Sequence, residues 1–174
     1  NIHSDKDAIF TNGAGNFAIW SGKYLNYSKE HRLLAPQAGA MGAGVPAALA
    51  AKSIYPNRQV ICFAGDGDFQ MSASELGTAM QEGLNPIILI HNNGSYGTIR
   101  MHQEMRYPKR VSGTNLKNPN FKCIAEAYNF GYSKITNLSE FKVAFEKAKT
   151  FDVCFIIEML ADIKDISPGK IIDL

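Results

Sequence analysis

Two short stretches of the chain carry the residue types from which a metal and phosphate site is made. Gly65-Asp66-Gly67-Asp68 sets carboxylates among glycines, and Asn92-Asn93-Gly94-Ser95-Tyr96-Gly97 opens on two amides. Glycine lets the backbone turn sharply and approach a ligand closely. Asp66 and Asn93 offer a carboxylate and an amide oxygen, to which a backbone carbonyl can be added. All are hard donors. They suit a Mg²⁺ ion that keeps phosphate oxygens and a water, and suit zinc poorly. Alone, each stretch is also ordinary turn chemistry. Their common setting distinguishes them, because each directly follows an apolar run.

Those runs, 60–64 and 86–91, read as strands, as do 8–10, 132–135 and 153–158. Nearly continuous apolar strands indicate a sheet covered on both faces. Helical patterns lie at 42–53, 72–82, 121–128 and 139–150. Ser72 with Glu75 reads as a capping box, and Ser139 as another N-cap. The alternation predicts a single α/β domain over 1–174, a three-layer parallel sheet flanked by helices. Ligands of such sheets bind beyond the carboxyl ends of the strands. The helix near Ser72 is expected to aim its N-terminus at a phosphate there. Strands joined by one helix lie about 4.8 Å apart if adjacent, so Asp66 and Asn93 can share one ion bridging a diphosphate to the sheet edge.

Composition sets the limits. The 174 residues are 45% apolar and 20% charged, with net charge +2, enough for one ordinary core. Lys and Arg are scattered, with no stripe for nucleic acid. No apolar run reaches the roughly 20 residues that span a bilayer. Gly13-Ala14-Gly15 lacks the following glycine of a dinucleotide fingerprint, and there is no Gly-Lys-Ser/Thr phosphate loop. Cys62, Cys123 and Cys154 read as reduced structural thiols, which points to the cytoplasm. The polar start, Asn1 to Asp7, is not a signal peptide, and the lack of an initiator Met favours a fragment of something longer.

Gly65-Asp66-Gly67, 24 intervening residues and Asn92-Asn93 together resemble the signature of thiamine-diphosphate enzymes. The segment Gln37 to Ala48, then Phe69-Gln70-Met71, Glu75-Leu76, and Gly15-Asn16 followed by Trp20, are similar to acetolactate synthases and related 2-oxo acid enzymes. The resemblance implies the fold of their diphosphate-binding domain and the cofactors thiamine diphosphate and Mg²⁺. It implies that Asp66, the Asn93 side chain and the Ser95 carbonyl hold the metal. Gly65 lies on the cofactor side, Gly67 and Asp68 offer N–H groups to the diphosphate, and Asn16 stands where a diphosphate-contacting Gln is usual. Met41 sits under the bend between the cofactor rings, and the Gly39 carbonyl accepts from the cofactor amino group. Tyr96, Thr98 and Ile99 lie near a 2-oxo acid substrate.

The sequence also departs from the family. Phe17 occupies a position where the synthases commonly carry a diphosphate-binding His. His102 stands where a Trp shapes the acceptor pocket, so it is either a substrate contact or a surface histidine. Glu75, Glu82 and Glu104 do not match the activating Glu, which the family places on a separate pyrimidine-binding domain. No catalytic residue is therefore expected in this chain, and alone it should be inactive. That domain belongs to the same polypeptide, in a homodimer or homotetramer, or to a separate subunit, as in split 2-oxo acid decarboxylases. A non-catalytic cofactor-binding module is a third reading. The small-residue helix at 42–53 is expected at a subunit interface.

Overall fold

A computed structural model describes residues 3–171; Asn1, Ile2 and 172–174, at the ends of the expected domain, lie outside it. Strand β1 (Ile9–Asn12) leads through helix α1 (Phe17–Tyr24) to β2 (Arg32–Leu34). Helix α2 (Gly44–Ile54) precedes β3 (Val60–Gly65), and α3 (Asp66–Gln70) and α4 (Leu76–Gln81) precede β4 (Ile87–Asn92). Then come α5 (Gly97–Arg106), α6 (Phe121–Ala127), β5 (Gly131–Ile135), α7 (Leu138–Lys149) and β6 (Phe155–Leu160). A small hairpin, β7 (Asp165–Ser167) with β8 (Lys170–Ile171), ends the described chain.

The six strands β1–β6 form one parallel sheet in the order β2-β1-β3-β4-β6-β5. The expected three-layer parallel fold is present. Side chains alternate between faces along each strand. Val60, Cys62 and Ala64 join Val45, Ala48 and Leu49 of α2, Leu76 of α4 and Phe121 of α6 on one side. Ile61, Leu89 and Ile157 join Ala144, Phe145 and Ala148 of α7 on the other. Both faces are covered, which is why the strands read as unbroken apolar runs. The chain runs from β1 outward to β2 and returns on the other side of β1 to β3. This reversal is where ligands bind in open α/β sheets.

Several local expectations need correction. The helix following β3 starts at Asp66 itself, not near Ser72. Residues Ala73–Glu75 form a 3₁₀ turn, and the Ser72 hydroxyl caps nothing: it is buried without a partner. Glu75 accepts from Thr78 Oγ1 at 2.9 Å instead of reaching back to Ser72. Helix α7 is capped by Asn137, whose Oδ1 accepts from Glu140 N, while Ser139 merely donates to that oxygen. The exposed edge strand β2, helices α1 and α5, and the hairpin had no sequence counterpart.

Candidate functional site

Strands β3 and β4 are direct neighbours, with Gly65 paired to His91. Their carboxyl ends therefore deliver Asp66 and Asn93 to one place. A cleft of about 220 Å³ opens there, bounded by the loops after β1, β3 and β4 and by the 39–41 segment. Asp66, Asn93 and Ser95 line it, as do Gly65, Gly67 and Asp68. Asn16, Gly39, Met41, Tyr96, Thr98 and Ile99 complete the set expected from the sequence, and all twelve residues border this cleft. Glu75, Glu82, Glu104 and His102 do not; His102 lies on the exposed side of α5.

Asp66 is 2% exposed. A buried carboxylate is tolerated only when its oxygens are satisfied. Oδ1 accepts from Gly67 N at 2.9 Å, and Oδ2 from Gly94 N at 2.8 Å and Asn118 Nδ2 at 2.7 Å. A carboxylate offers about four lone-pair directions, so one remains. Asn93 Oδ1 accepts from Ser95 N at 3.1 Å, and the Ser95 carbonyl from Gly97 N at 2.8 Å. Each keeps a second lone pair. The donor set fits Mg²⁺: three hard oxygens, with room for phosphate and water ligands. Among the described residues no group of three His, Cys, Asp or Glu forms a soft or all-carboxylate metal site.

Asp68 does something that sequence reading missed. Its Oδ1 accepts from Gly42 N at 2.8 Å and Ala14 N at 3.2 Å, tying together the loops after β1 and before α2. A Cβ at Gly13 would lie 1.9 Å from that oxygen, so only glycine lets the strand end pass this close. Burial pushes the Asp68 carboxyl above its ordinary range, against the backbone hydrogen bonds that favour ionisation. Gly44 is equally crowded, its absent Cβ falling 2.7 Å from Gly13 N. Gly67 passes under the Tyr96 ring, where a Cβ would come within 2.5 Å.

Asn16 is held by Thr98: its N donates to Thr98 Oγ1, which donates to Asn16 Oδ1, both at 3.0 Å. Phe17 packs its ring against Gly15 and Gly65 on the cleft wall, an apolar surface in place of a His contact. Burial keeps the His91 imidazole below its ordinary pKa, favouring the neutral ring. Trp20, quoted in the resemblance without a role, also borders the cleft, as do His91 and Asp165, to which the sequence reading gave no site role.

Glycine-lined strand ends, a buried carboxylate and a hard-oxygen triad at a topological switch point define an α/β domain built to hold a metal-bound phosphate ligand. Residues 13–159 match the family model "Thiamine pyrophosphate enzyme, C-terminal TPP binding domain". The chain belongs to this family, and thiamine diphosphate is the cofactor its members bind. It is 37% identical over 128 residues to an acetolactate synthase of Arthrospira platensis, covering 72% of this chain and 22% of that protein. It is 34% identical over 172 residues to an acetolactate synthase large subunit of Porphyra purpurea, covering 95% and 29%. The Lactococcus lactis large subunit is 36% identical over 137 residues, covering 78% and 24%. The chain thus spans less than a third of the length of these relatives. No helix among the described residues is long and apolar enough to cross a membrane.

Proposed function

We propose that residues 1–174 form the diphosphate- and Mg²⁺-binding domain of an acetolactate-synthase-like enzyme that decarboxylates a 2-oxo acid and joins the product to an acceptor. One observation carries this reading. Asp66, Asn93 and Ser95 follow the ends of adjacent parallel strands, line a common cleft, and each keep an oxygen lone pair that no hydrogen bond occupies. Asp66 and Asn93, with the Ser95 carbonyl, hold the metal. Gly65, Gly67 and Asp68 bring the backbone close to the diphosphate, with Asn16 beside them. Gly39 and Met41 set the cofactor's fold from the opposite wall, while Tyr96, Thr98 and Ile99 face the substrate.

When bound, thiamine diphosphate would supply a nucleophilic carbon and an electron sink for the decarboxylation of a 2-oxo acid. This chain's residues bind and orient it and exclude water from the buried metal end. They do not supply the activating acid, since Glu75, Glu82 and Glu104 lie off the cleft. The α5 wall of the cleft buries no residue and leaves Ile99 half exposed, so a second surface completes it. That surface is a pyrimidine-binding domain carrying a Glu, on the same or another chain of a homodimer or homotetramer. Helix α2 buries Val45, Ala48 and Leu49 inward and exposes Ala50, Ser53 and Ile54 for such an interface. The three unpaired thiols suit a reducing cytoplasm.

The test is CO₂ release from pyruvate by the purified protein together with a pyrimidine-binding domain. Turnover that needs both thiamine diphosphate and Mg²⁺, and disappears in Asp66→Asn, is the expected result. Turnover indifferent to the metal or to Asp66 would refute the reading.

A further inference from the structure

A hydrogen-bonded chain runs behind the cleft, from the far edge of the sheet to Asp66. Glu158 on β6 is 5% exposed, although it carries a carboxylate. Lys134 Nζ on the edge strand β5 approaches its Oε1 at 3.6 Å, and the Tyr132 hydroxyl donates to Oε2. Burial and this hydrogen bond push the Tyr132 phenol up, so it stays a donor. Asn92 Nδ2, at the end of β4, donates to Glu158 Oε1 at 2.7 Å. Asn118 Nδ2 donates both to Asn92 Oδ1 at 2.8 Å and to Asp66 Oδ2 at 2.7 Å. Asn118 Oδ1 in turn accepts from Gln70 Nε2 at 2.9 Å.

The carboxylates at the two ends and the backbone agree on the direction of every bond, since Asp66 and Glu158 accept and Gly94 N donates to Asn92 Oδ1 at 3.3 Å. A carboxylate paired with lysine and tyrosine can only accept. Asn92 must therefore turn its NH₂ toward Glu158, which leaves its oxygen facing Asn118. Asn118 must meet that oxygen with its own NH₂, and the second hydrogen of the same NH₂ points at Asp66.

We propose that Asn118 is a positioning residue that aligns the Asp66 carboxylate for Mg²⁺, and that buried Glu158, acting through Asn92, helps to hold the Asn118 amide against it. The inference rests on the metal-site reading above. Groups that orient metal ligands are worth about 10–100-fold in metal affinity. Asn118 is only partly buried, so its truncation leaves the core intact. Glu158→Gln keeps the side chain's shape while removing the charge that holds Asn92 Nδ2 and Lys134 Nζ.

The experiment is a calorimetric titration of Mg²⁺ into the purified protein at saturating thiamine diphosphate, for wild type, Asn118→Ala, Glu158→Gln and Asp66→Asn. Apo thermal midpoints and the cofactor's half-saturation at saturating Mg²⁺ are measured in parallel. Expected are a 10–100-fold rise in Mg²⁺ half-saturation for Asn118→Ala and a rise near the lower bound for Glu158→Gln. Cofactor half-saturation should stay within about twofold once Mg²⁺ saturates, because the assembled site is recovered by mass action. Wild-type Mg²⁺ affinity in Asn118→Ala, beside lost binding in Asp66→Asn, overturns the inference and leaves the metal site standing. Equal weakening of metal and cofactor with a lowered apo midpoint also overturns it, assigning Asn118 to the scaffold. Wild-type protein without metal-dependent binding overturns both readings.

Discussion

The floor of the cleft and its outer wall are built on opposite plans. On the floor, Asp66 and Asp68 are each 2% exposed, their oxygens are met by backbone N–H groups, and Gly13 and Gly44 leave no room for a methyl group. The outer wall is α5, which buries no residue at all and exposes Ile99 and Met105. It is held by hydrogen bonds rather than burial, through Thr98 to Asn16 at its start and Gln103 to the backbone of Ser112 further along. Charge and close backbone approach must be prearranged, since a buried carboxylate without partners costs several kcal/mol. An apolar wall can be left incomplete until another surface covers it. The fold thus completes the carboxylate end of the cleft by itself and leaves the α5 end open.

This contrast can be broken most severely at Gly44. A methyl group there meets the backbone of Asn12 and Gly13, which cannot step aside without moving β1. Gly44→Ala should cost about 3 kcal/mol and lower the thermal midpoint by roughly 6–12 °C, as read by calorimetric melting. Next comes Asp68→Ala, which strands the N–H groups of Ala14 and Gly42 at a cost of about 2–3 kcal/mol.

Asp68→Asn sharpens the comparison further, because the amide oxygen can still accept both bonds. The folded Asp68 pKa is raised by burial above its unfolded value of about 3.9. Its favourable contribution is therefore present below that pH and is lost as pH rises through the folded value. Melts of metal-free protein from pH 4 to 7.5 should show Asp68→Asn gaining stability relative to wild type as pH increases. A difference that stays flat or runs the other way would mean that the carboxylate is well solvated. The smallest effect belongs to the wall: Met105→Ala should shift stability by no more than about 0.5 kcal/mol, within about 2 °C. A larger change would show that α5 is packed after all.

Much of this was legible in the sequence, and the limits have physical causes. Apolar runs revealed β3, β4 and β6 because burial on both faces removes polar positions. The two motifs pointed to Asp66 and Asn93, the family resemblance supplied the rest, and all twelve expected residues border one cleft. Strand β2 was invisible because all three of its residues are exposed at the sheet edge. Ser72 misled because an N-cap pattern was present, while the helix start was taken by the motif itself at Asp66. Asn118 and Glu158 could not be found by spacing. Asn118 reaches Asp66 from 52 residues away in sequence, and Glu158 does so only through the Asn92 and Asn118 amides, brought near by the pairing of β4 with β6.

The central claim is that one oxygen cluster after β3 and β4 holds a metal and, through it, a diphosphate. Its most direct test is a calorimetric titration of thiamine diphosphate into the purified protein, with Mg²⁺ and with chelator, for wild type and Asn93→Ala. Binding that requires Mg²⁺ and is lost in Asn93→Ala, with the apo melting point little changed, is the predicted result. Equally tight binding in chelator, or in Asn93→Ala, would contradict it.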